Sequence, residues 1–356
     1  MSELFSPITV GRFTIKNRAW VSPMCQYSAH DGVVGEWHRV HLGAFATGGA
    51  GLVMAEATAV EPDGRISLNC PGLWNDAQRD AWKPIVDFAH DCGTTIGVQL
   101  AHAGRKGSTL APWGDHPHAT IAEGGWRTVA PSAVAFTGYP EPLALSIAEI
   151  ERIVASFAEA AGRAISAGFD VVEIHAAHGY LLHEFLSPIS NQRVDQYGGP
   201  FERRVRMLVE VVDAVRARLS GAPLLVRLSA TDWTEGGWDL SQTLDLSRVL
   251  RDHGVDLIDT SSGGNVAGVH IPTSPGYQVP FAEAIRREAG IATSAVGLIT
   301  EPAAADSIIR DGRADAVMLA RAFLRNPRWA LQAAEALGVT IDWPPQFDRA
   351  RTLRVG

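Results

Sequence analysis

Three side chains that can handle protons follow directly on an apolar segment in the middle of the chain. Residues 171–174 are mostly apolar, which is typical of a parallel strand that is buried on both faces. His175, His178 and Tyr180 come next, where this strand should end. Because ligands of α/β proteins bind at the carboxyl ends of parallel strands, we expect a binding or catalytic site at these three residues.

A single arginine interrupts another apolar strand. Arg227 stands between Val226 and Leu228, and the alternation of side chains along a strand places it on the opposite face from both. A buried guanidinium needs an anionic or hydrogen-bonding partner, because leaving it without one is very costly. That partner is either a ligand or, as a purely structural alternative, the carboxylate of Glu173.

Polar or small residues also follow the ends of the other predicted strands. After the first strand come Ser22, Pro23, Met24, Cys25, Gln26 and Tyr27. Later strand ends contribute Ala57, Gln99, Gly297, Ala320 and Arg321. In closed barrels the last two loops commonly hold a phosphate, which an arginine can bind and a glycine lets approach the backbone. The residues together predict a pocket for a phosphorylated cofactor with a polar ring.

The same residues permit other interpretations. His175 and His178 could be zinc ligands together with His183 or Glu184, or structural histidines that bond to backbone groups. Cys25, taken alone, is more often a small buried hydrophobe than a reactive group. The strand ends carry neither the acidic ligands that a hard divalent cation prefers nor a lysine for a Schiff base. We therefore expect no metal, and the convergence of several residues is what favours a site.

The elements that must position these residues alternate in a regular way. Short apolar runs predict eight strands at 20–24, 51–58, 95–101, 169–176, 224–229, 257–261, 292–298 and 316–320. Amphipathic patterns predict helices at 38–47, 76–91, 146–167, 201–219, 241–253, 279–288, 301–311 and 327–337. Eight repeats of strand and helix favour a closed (β/α)8 TIM barrel over an open doubly wound sheet.

Three segments stand outside the alternation. Residues 8–15, around Gly11, predict a hairpin that caps the floor of the barrel. Residues 102–145 form a long Pro-, Gly- and Trp-containing loop after the third strand, and a loop of that length is usually functional. Residues 342–356 form a tail that we expect to be extended. No domain boundary is evident, so residues 1–356 are predicted to be one domain.

The composition excludes several classes of protein. The 356 residues are 46% hydrophobic and 20% charged, with a net charge of −8, and no cluster of Lys and Arg suggests a nucleic-acid partner. No apolar run is long enough to span a membrane, and the first ten residues do not resemble a signal peptide. We expect a cytoplasmic protein whose three cysteines are reduced.

The chain resembles the Old Yellow Enzyme family of flavin mononucleotide (FMN) ene-reductases from residue 4 to about residue 349. The most specific segments are 175–188, HAAHGYLLHEFLSP, and 190–204, SNQRVDQYGGPFERR. The segment 22–27, SPMCQY, with its cysteine, and the histidine pair are similar to the thermophilic-like (YqjM-like) bacterial branch. The resemblance thus supports the barrel.

The resemblance also implies roles for the candidate residues. The flavin ring would be lined by the backbone of Ser22, Pro23, Met24, Cys25 and Ala57, with Gln99 at its pyrimidine edge and Arg227 beside N1 and O2. Gly297, Ala320 and Arg321 would hold the phosphate, although relatives often have Gly where this chain has Ala320. His175 and His178 would bind a substrate carbonyl, Tyr180 would supply a proton, Tyr27 would touch the substrate and Cys25 would tune the flavin potential.

The activity implied is reduction of the C=C bond of α,β-unsaturated carbonyl compounds. NADPH or NADH would reduce FMN, and the enone would then be reduced in the same place, a ping-pong scheme. Two alternatives stay open: a phosphate-binding barrel lyase or isomerase without flavin, and a flavin-binding protein without catalytic activity.

The tail carries a further expectation. Residues 347–349, Phe-Asp-Arg, resemble the aromatic–acid–arginine ending of the same branch, in which the arginine reaches into a neighbouring subunit's pocket. Arg349 is therefore the best candidate, ahead of Arg351 and Arg354, for a substrate contact across the interface of a homodimer or homotetramer. A solvated, disordered tail is the alternative.

Overall fold

A closed barrel of eight parallel strands forms the centre of the computed structural model, which describes residues 2–351. The barrel strands are β3 (Ala19–Val21), β4 (Leu52–Ala59), β5 (Thr95–Ala101), β8 (Val171–Ala176), β9 (Leu224–Ser229), β10 (Leu257–Ser261), β11 (Ala292–Ala295) and β12 (Ala316–Leu319). Outside the barrel, β1 (Ile8–Val10) pairs with β2 (Phe13–Ile15), and β6 (Val129–Ala130) pairs with β7 (Leu143–Ala144). Around the barrel the order is β10-β11-β12-β3-β4-β5-β8-β9. The predicted TIM barrel is confirmed, and each of its eight strands lies within three residues of its predicted bounds at either end.

Helices cover the outside of the barrel. They are α1 (Glu36–Ala46), α2 (Asp76–Asp91), α3 (Ile147–Ala167), α4 (Leu181–Leu186), α5 (Phe201–Arg204), α6 (Arg206–Arg216), α7 (Leu240–Asp252), α8 (Val279–Ala284), α9 (Pro302–Arg310), α10 (Arg321–Arg325) and α11 (Trp329–Ala336). The helix predicted at 201–219 is divided into α5 and α6 at Val205, whose ψ of −14° departs from the α-helical value. A π-helical turn, Ile285–Ala289, extends α8.

Helix α3 illustrates how local signals and packing agree. Ser146 and Glu149 form the predicted capping box, with the Ser146 N–H donating to Glu149 Oε2 at 2.7 Å. Gly168 ends the helix with a φ of +99°, a conformation that glycine adopts without steric cost. Ile150, Ile153 and Phe157 are fully buried, and each such side chain contributes about 1.5–3 kcal/mol of apolar burial.

The N-terminal hairpin of β1 and β2 closes one end of the barrel, as predicted. It turns at Gly11, whose φ is +58°, and its strands pair from Ile8 opposite Ile15 to Val10 opposite Phe13. Its buried residues form a cluster with the side chains that fill the lower lumen, namely Trp20, Leu52, Met54, Val171, Leu225, Leu257, Val296, Ala316 and Met318. The floor is thus apolar and packed, so any ligand must enter from the other end.

The register of the barrel strands brings polar side chains to one level of the lumen. Gln99 lies beside Glu173, and Arg227 lies between His175 and Asp259. Neighbours in register on adjacent parallel strands point to the same face of a sheet. The four strands β5, β8, β9 and β10 therefore supply a polar layer above the apolar floor.

The long loop and the tail lie at opposite ends of the strands. The loop after β5, the third barrel strand, includes β6 and β7 and returns to α3 at Leu145. The tail forms a 3₁₀-helix, Pro345–Ala350, so the expectation of a wholly extended tail is wrong, and Arg354 lies outside the described residues. The guanidinium of Arg328 stacks over Phe347 at 4.3 Å, which holds this turn against the barrel. Within residues 2–351, no helix combines the length and the apolar character needed to cross a membrane.

Candidate active site

His175, near the end of β8, and His178, just after it, meet through opposite ring nitrogens. Nε2 of His175 lies 3.4 Å from Nδ1 of His178, and the rings cross edge to face. The backbone N–H of Ala177 donates to Nδ1 of His175 at 3.3 Å, which places the proton of a neutral His175 on Nε2. His178 holds a left-handed φ of 60°, which is uncommon for a non-glycine residue and turns its side chain toward His175.

Two serine hydroxyls hold His178, one at its ring and one at its backbone N–H. Nε2 of His178 lies 2.7 Å from Oγ of Ser261, at the end of β10, and the His178 N–H donates to Oγ of Ser229 at 2.9 Å. Ser261 also approaches Oε1 of Gln278 at 3.4 Å. When the Ser261 hydroxyl donates to Nε2, the proton of His178 lies on Nδ1. Both histidines can then point an N–H group at one oxygen atom between them.

Burial keeps both imidazoles neutral. It lowers the pKa of His175 and of His178 well below the ordinary histidine value. The positive charge of Arg227 lowers the pKa of both in the same direction. At neutral pH the pair therefore consists of two uncharged imidazoles rather than an imidazolium, and it offers two N–H donors when the Ser261 hydroxyl donates to His178.

Tyr180 completes the group of residues that was predicted after β8. Its ring meets the edge of His175 at 5.0 Å, and its backbone precedes the first turn of α4. Burial raises the pKa of Tyr180 well above the usual tyrosine value, so its hydroxyl stays protonated. A protonated phenol beside two N–H donors can act as a general acid.

Lys106 belongs to this site although the sequence analysis did not select it. Its Nζ donates to the carbonyl oxygens of His178 at 2.8 Å and Gly264 at 2.9 Å, and it lies over the rings of Tyr180 at 5.2 Å and Phe136 at 4.7 Å. Burial lowers the pKa of Lys106 to about 8. The sequence feature that could have identified Lys106 is a basic residue five positions after the end of the third barrel strand.

Arg227 finds its buried partner on the neighbouring strand. Nε of Arg227 lies 2.8 Å from Oδ2 of Asp259, and Nη2 donates to Oγ of Ser22 at 3.0 Å. The structural alternative, an ion pair with Glu173, is wrong, because the guanidinium pairs with Asp259 instead. Burial raises the pKa of Glu173 to about 8, with the charge of Asp259 adding to the effect. Glu173 is thus largely a neutral carboxyl group at pH 7.

Gln99 is oriented by that carboxyl group. Its Nε2 donates to Oε1 of Glu173 at 2.7 Å, which turns the amide oxygen of Gln99 away from Glu173. The amide and the guanidinium of Arg227 come from strands on either side of β8. Together they offer an acceptor and a cation at the level where the lumen opens.

A small cavity lies beside Arg227 at the ends of β11 and β12. It measures about 170 Å³ and is lined by Gly297, Ala320 and Arg321 with Tyr277 and Gln278. Gly297 has a φ of +115°, and a Cβ atom placed on it would lie 3.2 Å from the Gln278 backbone nitrogen. Only glycine suits this close approach. The exposed Arg321 guanidinium can serve an anion in the cavity.

The segment 22–27 forms a backbone wall that begins at this cavity, where Ser22 is a lining residue, and packs at Cys25 and Tyr27 against the same cluster as Tyr180. Oε2 of Glu56 accepts the N–H of Gln26 at 2.8 Å, and Oε1 lies 3.3 Å from Nε2 of His38. This buried pair fixes the backbone that carries Cys25 and Tyr27 next to Ala57. Sequence reasoning gave no role to Glu56, although it lies near the end of the second barrel strand, and it missed His38, which lies on α1.

A second, larger cavity opens beside Tyr180 and Lys106. It measures about 510 Å³ and is lined by these two residues, Tyr27 and Tyr139 with residues 109–112 and 114–117 of the long loop. Trp113 of that loop meets Tyr27 edge to face at 5.6 Å. The long loop therefore forms the wall of a pocket, as predicted, with aromatic rings around the half-buried ammonium group of Lys106.

The residues present suit a bound flavin mononucleotide. Along the barrel mouth lie a cavity for an anion, which Gly297 keeps open, the inward guanidinium of Arg227, the amide oxygen of Gln99 and the backbone wall of residues 22–27. Pro23 and Met24 belong to this wall and are half-buried. No group of three or more His, Cys, Asp or Glu side chains in residues 2–351 is arranged to hold a metal ion. His183 instead pairs with Asp232 at 3.1 Å.

Arg349 does not reach this site within its own chain. The tail borders a cavity of about 800 Å³ together with Lys16, Thr47 and Gly93, which precede β3, β4 and β5. The site described above lies at the opposite, carboxyl ends of the strands. A substrate contact by Arg349 stays a prediction about a neighbouring subunit.

Comparison with known proteins agrees with this geometry. Residues 3–339 match the sequence model of the NADH:flavin oxidoreductase / NADH oxidase family. The chain is 47% identical over 349 residues to an NADPH dehydrogenase of Geobacillus thermodenitrificans, covering 97% of this chain and 98% of the relative. It is 48% identical over 353 residues to an NADPH dehydrogenase of Listeria innocua, covering 98% and 99%. A solved structure of morphinone reductase in complex with tetrahydroNAD superposes with a TM-score of 0.79 at 30% identity, covering 97% of this chain and 94% of that one.

Proposed function

The chain belongs to the NADH:flavin oxidoreductase / NADH oxidase family, and from this premise we propose that it is an FMN-dependent ene-reductase that uses NADPH to reduce the C=C bond of α,β-unsaturated carbonyl compounds. The curated relatives named NADPH dehydrogenase support the choice of reductant. A morphinone reductase of the same fold supports an unsaturated carbonyl compound as oxidant. NADH is the alternative donor.

The observation that carries the proposal is the pair of neutral imidazoles whose ring nitrogens face each other, which present two converging N–H donors when the Ser261 hydroxyl donates to His178. His175 Nε2 and His178 Nδ1 face each other at 3.4 Å, and both rings are neutral. An oxygen atom that sits between them accepts two hydrogen bonds, and these strengthen as negative charge develops on it. A carbonyl conjugated to a C=C bond develops that charge on its oxygen when the β-carbon is attacked by hydride.

Residues of the barrel mouth would hold FMN next to the donors. Ser22, Pro23, Met24, Cys25 and Ala57 would line its ring, Gln99 would bind the pyrimidine edge, and Gly297, Ala320 and Arg321 would hold the phosphate. When bound, FMN supplies two-electron chemistry between a nicotinamide and a double bond. Arg227 would stabilise the charge that a reduced flavin carries on its pyrimidine ring, since Asp259 leaves part of the guanidinium for that purpose.

Tyr180 would deliver the proton to the α-carbon. Its hydroxyl is kept protonated by burial, and it lies beside His175 on the same side of the pocket. Tyr27 and Lys106 border the same space and would shape it for the substrate. One space for nicotinamide and enone implies that the two bind in turn, as in a ping-pong reaction.

We further propose a homodimer or homotetramer in which Arg349 enters a neighbouring subunit's pocket. The tail lies at the amino ends of the strands, so it extends away from its own site toward the surface. An arginine delivered across an interface would add a cation to the rim of the pocket.

Anaerobic mixing of the purified protein with NADPH and then with cyclohexenone tests the proposed function. An ene-reductase is yellow, loses its flavin absorbance with NADPH and regains it with the enone. A colourless folded protein would favour a lyase or isomerase without flavin. A yellow protein whose reduced flavin ignores enones would favour a non-catalytic flavin-binding protein.

A further inference from the structure

Two cysteines far apart in sequence meet next to the wall of the candidate site. Cys25 follows β3, and Cys70 lies in the connection between β4 and α2. Both are free thiols; Cys70 belongs to an apolar cluster against which Cys25, Tyr27 and Tyr180 pack. Cys70 is 1% exposed, whereas Cys25 is half-buried.

The backbone holds the two segments together. The N–H of Ala29 donates to the Asn69 carbonyl at 2.9 Å, and Nδ2 of Asn69 donates back to the Ala29 carbonyl at 3.2 Å. These reciprocal bonds fix the strand exit that carries Cys25 against the turn that carries Cys70. The backbone therefore keeps the two cysteine-bearing segments side by side.

Several donors converge on the sulfur of Cys70. The Ser67 N–H donates to Cys70 Sγ at 3.4 Å, and Ser67 Oγ lies 3.3 Å from the same sulfur. Because Ser67 Oγ already accepts the N–H of Asn69 at 3.2 Å, its own hydrogen is free to point at Cys70. The interaction with Cys25 lowers the pKa of Cys70 and raises that of Cys25. The arrangement stabilises a thiolate on Cys70 and a proton on Cys25.

We propose that Cys25 and Cys70 form a peroxide-sensitive dithiol that closes to an intramolecular disulfide, with Cys70 as the attacking sulfur. The oxidant is hydrogen peroxide, which reduced flavins produce from oxygen. The Cys70 thiolate attacks one peroxide oxygen, the O–O bond breaks, and Cys70 becomes a sulfenic acid while hydroxide leaves. Cys25 then attacks the Cys70 sulfur, its proton neutralises the departing hydroxide, and the S–S bond forms. Two thiols and one peroxide thus give one disulfide and two waters.

The proposal goes beyond the reduction of enones and does not depend on it. It gives a chemical role to Cys70, which has no part in binding cofactor or substrate. That role is to react with peroxide and then form a disulfide with Cys25. Cys92 supplies an internal comparison, because it is half-buried at the end of α2, and burial raises its pKa. A raised pKa makes Cys92 a slower nucleophile toward peroxide.

The test treats the flavin-loaded protein with hydrogen peroxide, blocks the remaining thiols with iodoacetamide and maps the peptides by mass spectrometry. The expected product lacks two hydrogen atoms, contains a Cys25–Cys70 linked peptide, carries a block on Cys92 and returns to the starting mass with dithiothreitol. A Cys92→Ser variant should form the same link at the same rate.

Single variants identify the attacking sulfur. In Cys25→Ser, dimedone, which captures sulfenic acids, should label Cys70, whereas in Cys70→Ser the label on Cys25 should be much slower to appear. If peroxide leaves Cys25 and Cys70 unlinked in the unmodified chain, or if Cys92 is oxidised first, the proposal is wrong. Faster labelling of Cys25 than of Cys70 would also overturn the assignment.

Discussion

Replacing His178 by alanine should weaken the binding of phenols, which place an oxygen where an enone carbonyl would sit. The change removes the Nδ1–H donor that faces His175 Nε2 at 3.4 Å and leaves Ser261 Oγ without its 2.7 Å partner. His175→Ala removes the other donor. The flavin contacts proposed for Arg227 and Gln99 do not pass through either imidazole, so both variants should keep their FMN.

The size of the effect follows from the charge of the ligand. A hydrogen bond to an ionised oxygen contributes about 1.5–3 kcal/mol, so each variant should raise the Kd of a phenolate about 10- to 150-fold. A neutral phenol should lose less, about 0.5–1.5 kcal/mol. The two single effects should not be additive, since the donors share one acceptor.

The pH dependence gives a second readout. The pKa of each imidazole lies well below its ordinary value, so neither ring changes charge between pH 6 and pH 8. Affinity for a phenol should then rise with pH as the ligand ionises and level off above the ligand's own pKa. An imidazolium in the free protein would instead make affinity fall as pH rises through the histidine pKa.

Calorimetric titration with a series of phenols measures both quantities. His253→Ala is the matched control, because it removes a surface histidine that pairs with Asp213. If both site variants bind phenolates as tightly as the unmodified protein, or if affinity falls between pH 6 and pH 8, the converging neutral donors do not hold the ligand oxygen.

Four further changes test other parts of the site. Tyr180→Phe should leave flavin reduction by NADPH nearly intact and slow the reaction with enones, as measured by anaerobic stopped-flow; slowing of the first half alone would count against the proton donor. Cys25→Ala should shift the flavin reduction potential in a spectroelectrochemical titration while Cys92→Ala does not, and equal potentials would make Cys25 a packing residue. In the unmodified protein, enone kcat/KM should fall as pH rises through about 8, because the lowered pKa of Lys106 makes it neutral there. Lys106→Met should not show this fall, and an unchanged pH profile in the variant would mean that Lys106 takes no part in the reaction. Truncation after Pro345 should lower activity and ligand affinity but leave the barrel folded and yellow, and a fully active monomer in light scattering would end the shared-site proposal.

The architecture could be predicted because local signals repeat along the chain. The cap formed by Ser146 and Glu149, the terminal Gly168 and the eight apolar runs each report on a few neighbouring residues, and the barrel follows from their count. His175, His178 and Tyr180 could be selected for the same reason, since one strand end carries all three.

Contacts between distant segments could not be read in this way. Nothing near Arg227 in sequence indicates that its ion-pair partner would be Asp259 on β10 rather than Glu173 on β8. Lys106 contributes through its bonds to the His178 and Gly264 carbonyls, which only the closed barrel brings within reach. The break at Val205 and the 3₁₀ turn of the tail depend on packing, which overrides the helical and extended patterns of those segments.

The central claim is that a hydride reaches the β-carbon of the enone and that a proton derived from solvent reaches the α-carbon through Tyr180. Isotope labelling tests this claim most directly. The protein is mixed with unlabelled NADPH and excess cyclohexenone in deuterium oxide, and then with NADPH deuterated at its transferable position in ordinary water. The account predicts deuterium on the α-carbon in the first product and on the β-carbon in the second. Deuterium on the carbinol carbon of an alcohol product, or an unlabelled β-carbon in the second experiment, would contradict it.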